Sequence, residues 1–340
     1  MKLLFLVCTL LISLSHAVLL AGTETPQVFE PQVAGTFYSS NEKVLESQIS
    51  GFFKNVPNQE TKGKPIALIS PHAGYQYSGQ VAAHGFQLIQ NQGFTRVIIL
   101  APYHGKSGKR FRGVSILKAK HFKTPLGLIP VDQEVCIQLL HTPATFTYPS
   151  TKREYNLIGS YKGAYEGEHS LEMQLPFLQM SLGNFKLVPI IIGLLEGEDF
   201  DTIANILKPF MNNKTLVIAS SDFTHFGQAF NYIPFKDNVK ENIEKLDYGA
   251  FAKILIKDFE GLKNYRASTG FNACGIFPIA LLLKILPEDT IGEVLNYDTS
   301  GRQTKNYIHS VSYASILFTK PSSPKNGQYS PPNKTGISLR

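Results

Sequence analysis

Three histidines stand where strand-like apolar runs break off into polar turns. Ile66-Ala67-Leu68-Ile69-Ser70 leads into Pro71-His72-Ala73-Gly74-Tyr75, and Val97-Ile98-Ile99-Leu100 leads into Ala101-Pro102-Tyr103-His104-Gly105. The third run, Leu216-Val217-Ile218-Ala219, leads into Ser220-Ser221-Asp222-Phe223-Thr224-His225-Phe226-Gly227. Neutral imidazole binds zinc, copper and iron, and it is also the usual proton carrier near neutral pH. Asp222 could orient an imidazole or bind a metal itself. Any one of these histidines could simply hydrogen-bond its own loop. Three with the same placement, each in a turn with Gly or Pro, point to one shared site.

Two further groups could join them. Cys274, in the turn Asn272-Ala273-Cys274-Gly275, feeds a helix, and a helix N-terminus favours the thiolate that binds metal or attacks substrate. Two histidines and one cysteine would leave open positions on a mononuclear centre, as catalysis needs. The stretch Glu166-Gly167-Glu168-His169-Ser170-Leu171-Glu172 concentrates polar groups ahead of a helix. His169 and Glu172 are spaced to share a helix face and could be ligands, partners of ligands or a substrate clamp. The same stretch could equally be a helix cap, with Ser170 or Glu168 satisfying open amides. Tyr75-Gln76-Tyr77 could rim a pocket. A serine nucleophile at Ser220 or Ser221 lacks the Gly-x-Ser-x-Gly elbow. Neither a G-x-x-x-x-G-K nor a G-x-G-x-x-G phosphate loop occurs.

Open α/β sheets bind ligands just beyond the carboxyl ends of their strands, so the elements around these turns matter. Strands are expected at 65–70, 96–101, 186–193 and 215–219, with Pro189 best placed at an edge or strand start. Helices are expected from near Glu42, over about 79–90, 131–141, 170–180 and about 199–211, across 236–264, and after Cys274-Gly275. Residues 113–130 form a β-excursion, and strands at 293–297 and 311–317 close the fold. Strand–helix–strand alternation argues for parallel pairing. No composition break divides residues 33–319, so the reading is one α/β domain with a central mixed, mostly parallel sheet flanked by helices.

The chain has 340 residues, 43% hydrophobic and 17% charged, which suits a folded globule. Its net charge of +7 is scattered, with short clusters at 106–112 and 118–123. A basic balance suits an anionic ligand, but no RNA-binding or helix-turn-helix signature accompanies it, so no nucleic-acid partner is expected. Residues 1–17 read as a signal peptide: Met1-Lys2, an apolar run over 3–14, then Ser15-His16-Ala17 before a cut. A second cut could fall after Ala21. The expected setting is secreted or periplasmic with no stable membrane span, or membrane-anchored if the segment stays uncleaved. Residues 18–32 are read as a flexible segment and 320–340 as a disordered tail. Cys136, in a helical run, reads as a small core residue; in an oxidising compartment it and Cys274 could instead form one disulfide.

At these blocks the sequence resembles the Memo family, the Memo component of the AMMECR–Memo–radical-SAM set. The matching blocks are Ala34-Gly35-Thr36-Phe37-Tyr38, Pro71-His72-Ala73-Gly74-Tyr75, Ala101-Pro102-Tyr103-His104, Glu168-His169-Ser170-Leu171-Glu172-Met173-Gln174-Leu175-Pro176-Phe177, the Ser220–Gly227 segment (220–227) and Cys274-Gly275. The resemblance implies a fold like the class III extradiol dioxygenases, in which two histidines and a carboxylate hold a non-haem iron. Carried onto this chain, it implies His72, His104 and Cys274 as metal ligands, with cysteine in place of the dioxygenase carboxylate. It implies His225 as the acid/base histidine, with Asp222 beside it. Thiolate softens such a site and favours copper(I) or zinc as well as iron. The export segment departs from the family's usual cytosolic setting, so intracellular signalling partners are not carried over.

The expected function is a metal-dependent, dioxygenase-like oxidoreductase acting on a small substrate, with iron or copper, or zinc, as cofactor. Glu168, His169, Glu172 and Tyr75 are assigned to supporting or substrate-contacting roles. Two alternatives use the same cleft: a non-catalytic adaptor for a peptide or anionic ligand, and a metal-dependent hydrolase with an activated water.

Overall fold

The computed structural model describes residues 27–105, 110–147, 152–161 and 163–321. The signal peptide expected over 1–17 lies outside the described residues, as does the tail beyond residue 321. Fourteen strands and nine α-helices are assigned among the described residues.

The chain opens with strand β1 (Val28–Phe29), helix α1 (Glu42–Lys54), strand β2 (Gly63–Ser70), helix α2 (Tyr75–Leu88) and strand β3 (Arg96–Pro102). The excursion follows as β4 (Val114–Ile116), β5 (His121–Thr124) and β6 (Gly127–Pro130), then helix α3 (Gln133–His141). Strands β7 (Thr145–Thr147), β8 (Glu154–Asn156) and β9 (Ile158–Gly159) precede helix α4 (Leu175–Leu182) and strand β10 (Lys186–Ile192). Helix α5 (Asp199–Leu207), strand β11 (Thr215–Ser220), strand β12 (His225–Gly227), helix α6 (Val239–Leu255), helix α7 (Phe259–Thr269) and helix α8 (Ile276–Ile285) come next. Strand β13 (Ile291–Thr299), helix α9 (Ser300–Thr304) and strand β14 (His309–Pro321) complete the domain.

The main sheet has nine strands in the order β12-β14-β2-β11-β3-β10-β4-β9, with β13 also paired to β14. Its centre, β2-β11-β3-β10, is parallel, while β14 and β4 join the two flanks antiparallel. The central strands are buried along nearly their whole length, because both faces are covered and the run of Ile, Leu, Val and Ala need not alternate with polar residues. One cover is α1, α2 and α4, with Phe86 stacked on Phe177 at 5.0 Å. The other is α5 to α8, whose apolar α8 packs on β11 and β3. Helix α1 starts where the Asn41 side chain accepts from the Val44 amide, and it buries Leu45 and Ile49.

Several boundaries differ from the sequence reading. Residues 27–32, within the segment expected to be flexible, are anchored: Val28 and Phe29 pair with His121 and Phe122. Lys320 and Pro321, expected in the tail, pair with Lys64 and Gly63. The helix expected over 79–90 begins at Tyr75, whose ring is buried against Tyr38, Phe52 and Phe177. The helix expected over 170–180 begins at Leu175 after a single 3-10 turn, with Pro176 in its first turn, where a missing N–H costs nothing. Pro189 sits mid-strand rather than at a start, but β4 pairs with β10 only from Ile190, so Pro189 lies where that flank has no strand partner. No helix among the described residues is long and apolar enough to cross a membrane.

Candidate metal centre

The parallel strands end level. Ser220 pairs with Ser70, and Ala219 with Leu100. Each strand then turns, and His72, His104 and Asp222 all lie two residues past their strand ends. Cys274 comes from the opposite direction, one residue before Gly275, the N-cap of α8. Gly275 explains how it gets there. A Cβ at this position would run into the Ser220 carbonyl and the Ser221 side chain, so only glycine lets the α8 start press against the end of β11. The Gly275 amide donates to Ser221 Oγ at 3.1 Å, fixing that approach.

The imidazoles of His72, His104 and His169 converge, and their ligand atoms all lie within 4.8 Å of one another. His104 and His169 stack with ring centres 4.7 Å apart, and His72 meets both nearly at right angles. Cys274 Sγ lies 3.1 Å from His72 Nε2 on this side of the cluster.

Hydrogen bonds decide which nitrogen each ring presents. Ser220 Oγ donates its single proton to the Ser170 carbonyl at 2.7 Å and accepts from Gln174 Nε2 at 2.8 Å. Its 2.8 Å contact with His72 Nδ1 must therefore be donated by the ring. His72 thus carries its proton on Nδ1, and the Nε2 lone pair faces Cys274. Burial first, and His104 alongside it, hold His72 well below the usual histidine range, so the ring is neutral. His104 Nδ1 lies 2.9 Å from Glu168 Oε1, and the His104 amide donates to Oε2 at 2.8 Å. Oε1 also accepts from the His169 and Ser170 amides, each at 2.9 Å. Burial alone would raise the Glu168 pKa, but the hydrogen bond from His104 and those from the backbone amides outweigh it and lower the pKa to about 2. A carboxylate fixed in that state orients His104 with Nε2 free, the usual partnership behind a metal-binding histidine.

Asp222 Oδ1 accepts from the His72 amide at 2.8 Å, so it braces the His72 turn. Burial raises its carboxyl pKa, with His225 pulling the other way. His225 Nδ1 donates to the Phe223 carbonyl at 2.8 Å, again leaving Nε2 as a lone pair. Burial lowers its pKa, opposed by Asp222, which suits a proton acceptor. Asn272 holds the backbone of His225 from both sides, accepting from its amide at 2.9 Å and donating to its carbonyl at 2.8 Å.

The structure redistributes some roles. His169, expected as a supporting residue, joins the imidazole cluster, and its ring rests on Phe37 at 4.7 Å. Glu172 does not share its position. It is buried and accepts from Tyr38 Oη and the Gln32 amide, both at 2.6 Å, and from the Val33 amide at 3.1 Å, clamping the N-terminal segment. Tyr75 is a packing residue, 2% exposed, whose hydroxyl donates to the Met173 carbonyl. The expected low-pKa thiol is not found at Cys274: burial, then Asp222, push its pKa well above the ordinary value, because desolvation outweighs the helix start. Cys136 is buried in α3, and both cysteines are free, so the optional disulfide is not formed.

Gln174, Asn272 and Phe37 carry no role in the sequence reading, and Ser220 enters it only as a disfavoured nucleophile, not as the acceptor that anchors His72. Gln174 stands among other polar residues of its run, Glu172 and Gln179, so nothing in sequence sets it apart, yet its amide donates to Pro71 O and Ser220 Oγ.

The fold and site define a class: an α/β protein with a cluster of imidazoles and a thiol at the carboxyl edge of its parallel strands, built as a metal site would be. Residues 30–317 match the Memo family model, described as Memo-like protein, and the chain belongs to the Memo family. It is similar to the protein memo-1 homolog of Caenorhabditis elegans, 31% identical over 303 residues, covering 85% of this chain and 82% of the relative. It is also similar to MEMO1 family proteins of Sulfurisphaera tokodaii, at 33% over 304 residues (85% and 98%), and of the C5 strain of Methanococcus maripaludis, at 32% over 314 residues (84% and 98%).

Proposed function

We propose that this protein is a metal-dependent oxidoreductase for a small substrate, with one iron or copper ion held by His72, His104 and Cys274. The observation that carries this reading is the pair of anchored rings: Ser220 and Glu168 each take an Nδ1–H, so two Nε2 lone pairs are offered in one cluster, and the His72 lone pair lies 3.1 Å from the Cys274 sulfur. These donors fit a cation. Neutral imidazole and sulfur suit soft and borderline transition metals, and a cation would ionise the thiol that burial otherwise keeps protonated. When bound, the metal would supply electron transfer and polarise the substrate or an oxygen donor.

The chain's own residues do the rest. His225 accepts or returns a proton at Nε2, with Asn272 fixing its backbone and Asp222 stabilising its charged form. Glu168 holds the His104 ring in register, and Ser220 does the same for His72. A hydrolytic reading is favoured by one observation, the closeness of His169 to the other imidazoles, because three histidines are also the donor set of zinc sites that activate water. Metal analysis of protein purified under reducing conditions tests the proposal. Stoichiometric iron or copper, lost in His72→Ala and His104→Ala, supports it. No bound metal, or retention in both variants, contradicts it. Zinc lost in His169→Ala but kept in Cys274→Ser would favour hydrolysis.

A further inference from the structure

A cavity of about 810 Å3 lies between α5, α7 and α8 and the loop before α5, and none of the clustered histidines lines it. This size is in the range that holds a drug-sized ligand. Its wall is aromatic. Phe200 packs against Phe259 at 5.1 Å and Phe277 at 6.1 Å, and the latter two rings are only half-buried. Cations lie over both of these rings: Lys284 Nζ is 4.4 Å from the Phe259 centre, and the Arg266 guanidinium is 5.7 Å from that of Phe277.

The charges around the cavity are not equally matched. Lys284 is held by both oxygens of Asp201 and Lys263 by Glu260, while Arg112 is shared between Glu196 and the buried Asp199. Glu198, exposed at the start of α5, sits where the helix dipole favours a negative charge. Arg266 has no carboxylate partner among the described residues. It is the one lining cation with no ion pair among the described residues, and its guanidinium carbon lies 5.7 Å from the Phe277 ring centre.

We infer that this cavity binds a small, flat, apolar monoanion, an aromatic carboxylate or sulfonate of two or three rings. The rings would lie against Phe277 and Phe259, and the anionic group would meet Arg266. Burial of the rings supplies the main attraction, and the guanidinium selects the charge. The cavity shares Asn272 with the histidine site, and that side chain holds the His225 backbone. Occupancy here therefore touches the residue that positions His225, while the binding itself does not depend on the metal reading.

Anilinonaphthalene sulfonate is a probe of this chemistry. Titrated by fluorescence and calorimetry into the folded full chain, it should bind one-to-one. Arg266→Glu, at an exposed position, should weaken it about tenfold, since an attraction becomes a repulsion. Phe277→Ala should weaken it as well. The neutral analogue phenylnaphthylamine should bind wild type and Arg266→Glu equally, which shows that the variant is folded and the wall intact. His72→Ala should leave binding unchanged. Absence of saturable binding, equal affinity in wild type, Arg266→Glu and Phe277→Ala, or loss of the probe in His72→Ala would each overturn the assignment.

Discussion

Replacing Glu168 with glutamine is a sharp probe of how the imidazoles are held. The carboxylate is 4% exposed and accepts four donors: the His104 amide on one oxygen, and His104 Nδ1 with the His169 and Ser170 amides on the other. A glutamine amide has one oxygen and one NH2. If its oxygen takes the three-donor side, the NH2 faces the His104 N–H. If it is turned round, the NH2 faces three donors. At least one buried donor therefore loses its partner, costing about 1–3 kcal/mol of stability. The charge that polarises His104 also disappears. Loss of such a carboxylate partner weakens metal binding about 10–100-fold, or roughly 1.4–2.7 kcal/mol. Competition against a chelator of known affinity, at fixed pH and with oxidation state controlled, measures the second effect, and denaturant melts of the metal-free chain measure the first. A Glu168→Gln chain that stays folded and binds metal as tightly as the wild type would refute the role given to Glu168.

Other outcomes follow from the same contacts. Gly275→Ala places a Cβ against the Ser220 carbonyl and Ser221, so the α8 start should shift, with about 1–3 kcal/mol lost in denaturant unfolding and with weaker metal binding. Asp247 is buried beneath the His225 loop, and burial, outweighing the bonds from Thr224, Tyr297 and Ser312, pushes its carboxyl up from 3.8 to about 6. The folded chain then holds this proton more tightly than the unfolded chain, so this group's contribution is greatest below the unfolded value and falls as pH rises through about 6, by roughly 3 kcal/mol. Asp247→Asn cannot ionise, and its unfolding free energy should lack that fall when melts at acid and neutral pH are compared. The export reading predicts that chain secreted from a host begins at Val18 or Gly22 by N-terminal mass analysis, and an intact Met1 on secreted protein would contradict it.

Much of the frame was legible because it rests on uninterrupted apolar runs. The strands ending before His72, His104 and Asp222 are central and covered on both faces, so their sequence needs no partner to be read. The same holds for Cys274 at a helix start. What could not be read depends on contacts between distant segments. Glu172 and His169 look alike in sequence, yet one clamps Gln32 and Val33 while the other joins the imidazoles, and only the approach of the N-terminal segment separates them. Tyr75 looked like a rim because it follows a histidine turn, but Tyr38, Phe52 and Phe177 bury it. The thiol of Cys274 was expected to be acidic from its helix, and burial reversed that. Asn272 gave no signal at all, since its partner is the backbone of a residue 47 positions away.

The most direct test of the metal reading is X-ray absorption at the metal edge of the loaded, reduced protein, comparing wild type with Cys274→Ser. Two imidazoles and one sulfur are predicted around the metal, and the sulfur shell should vanish in the variant. A spectrum with no sulfur in the wild type, or one unchanged by Cys274→Ser, would contradict a centre built on His72, His104 and Cys274.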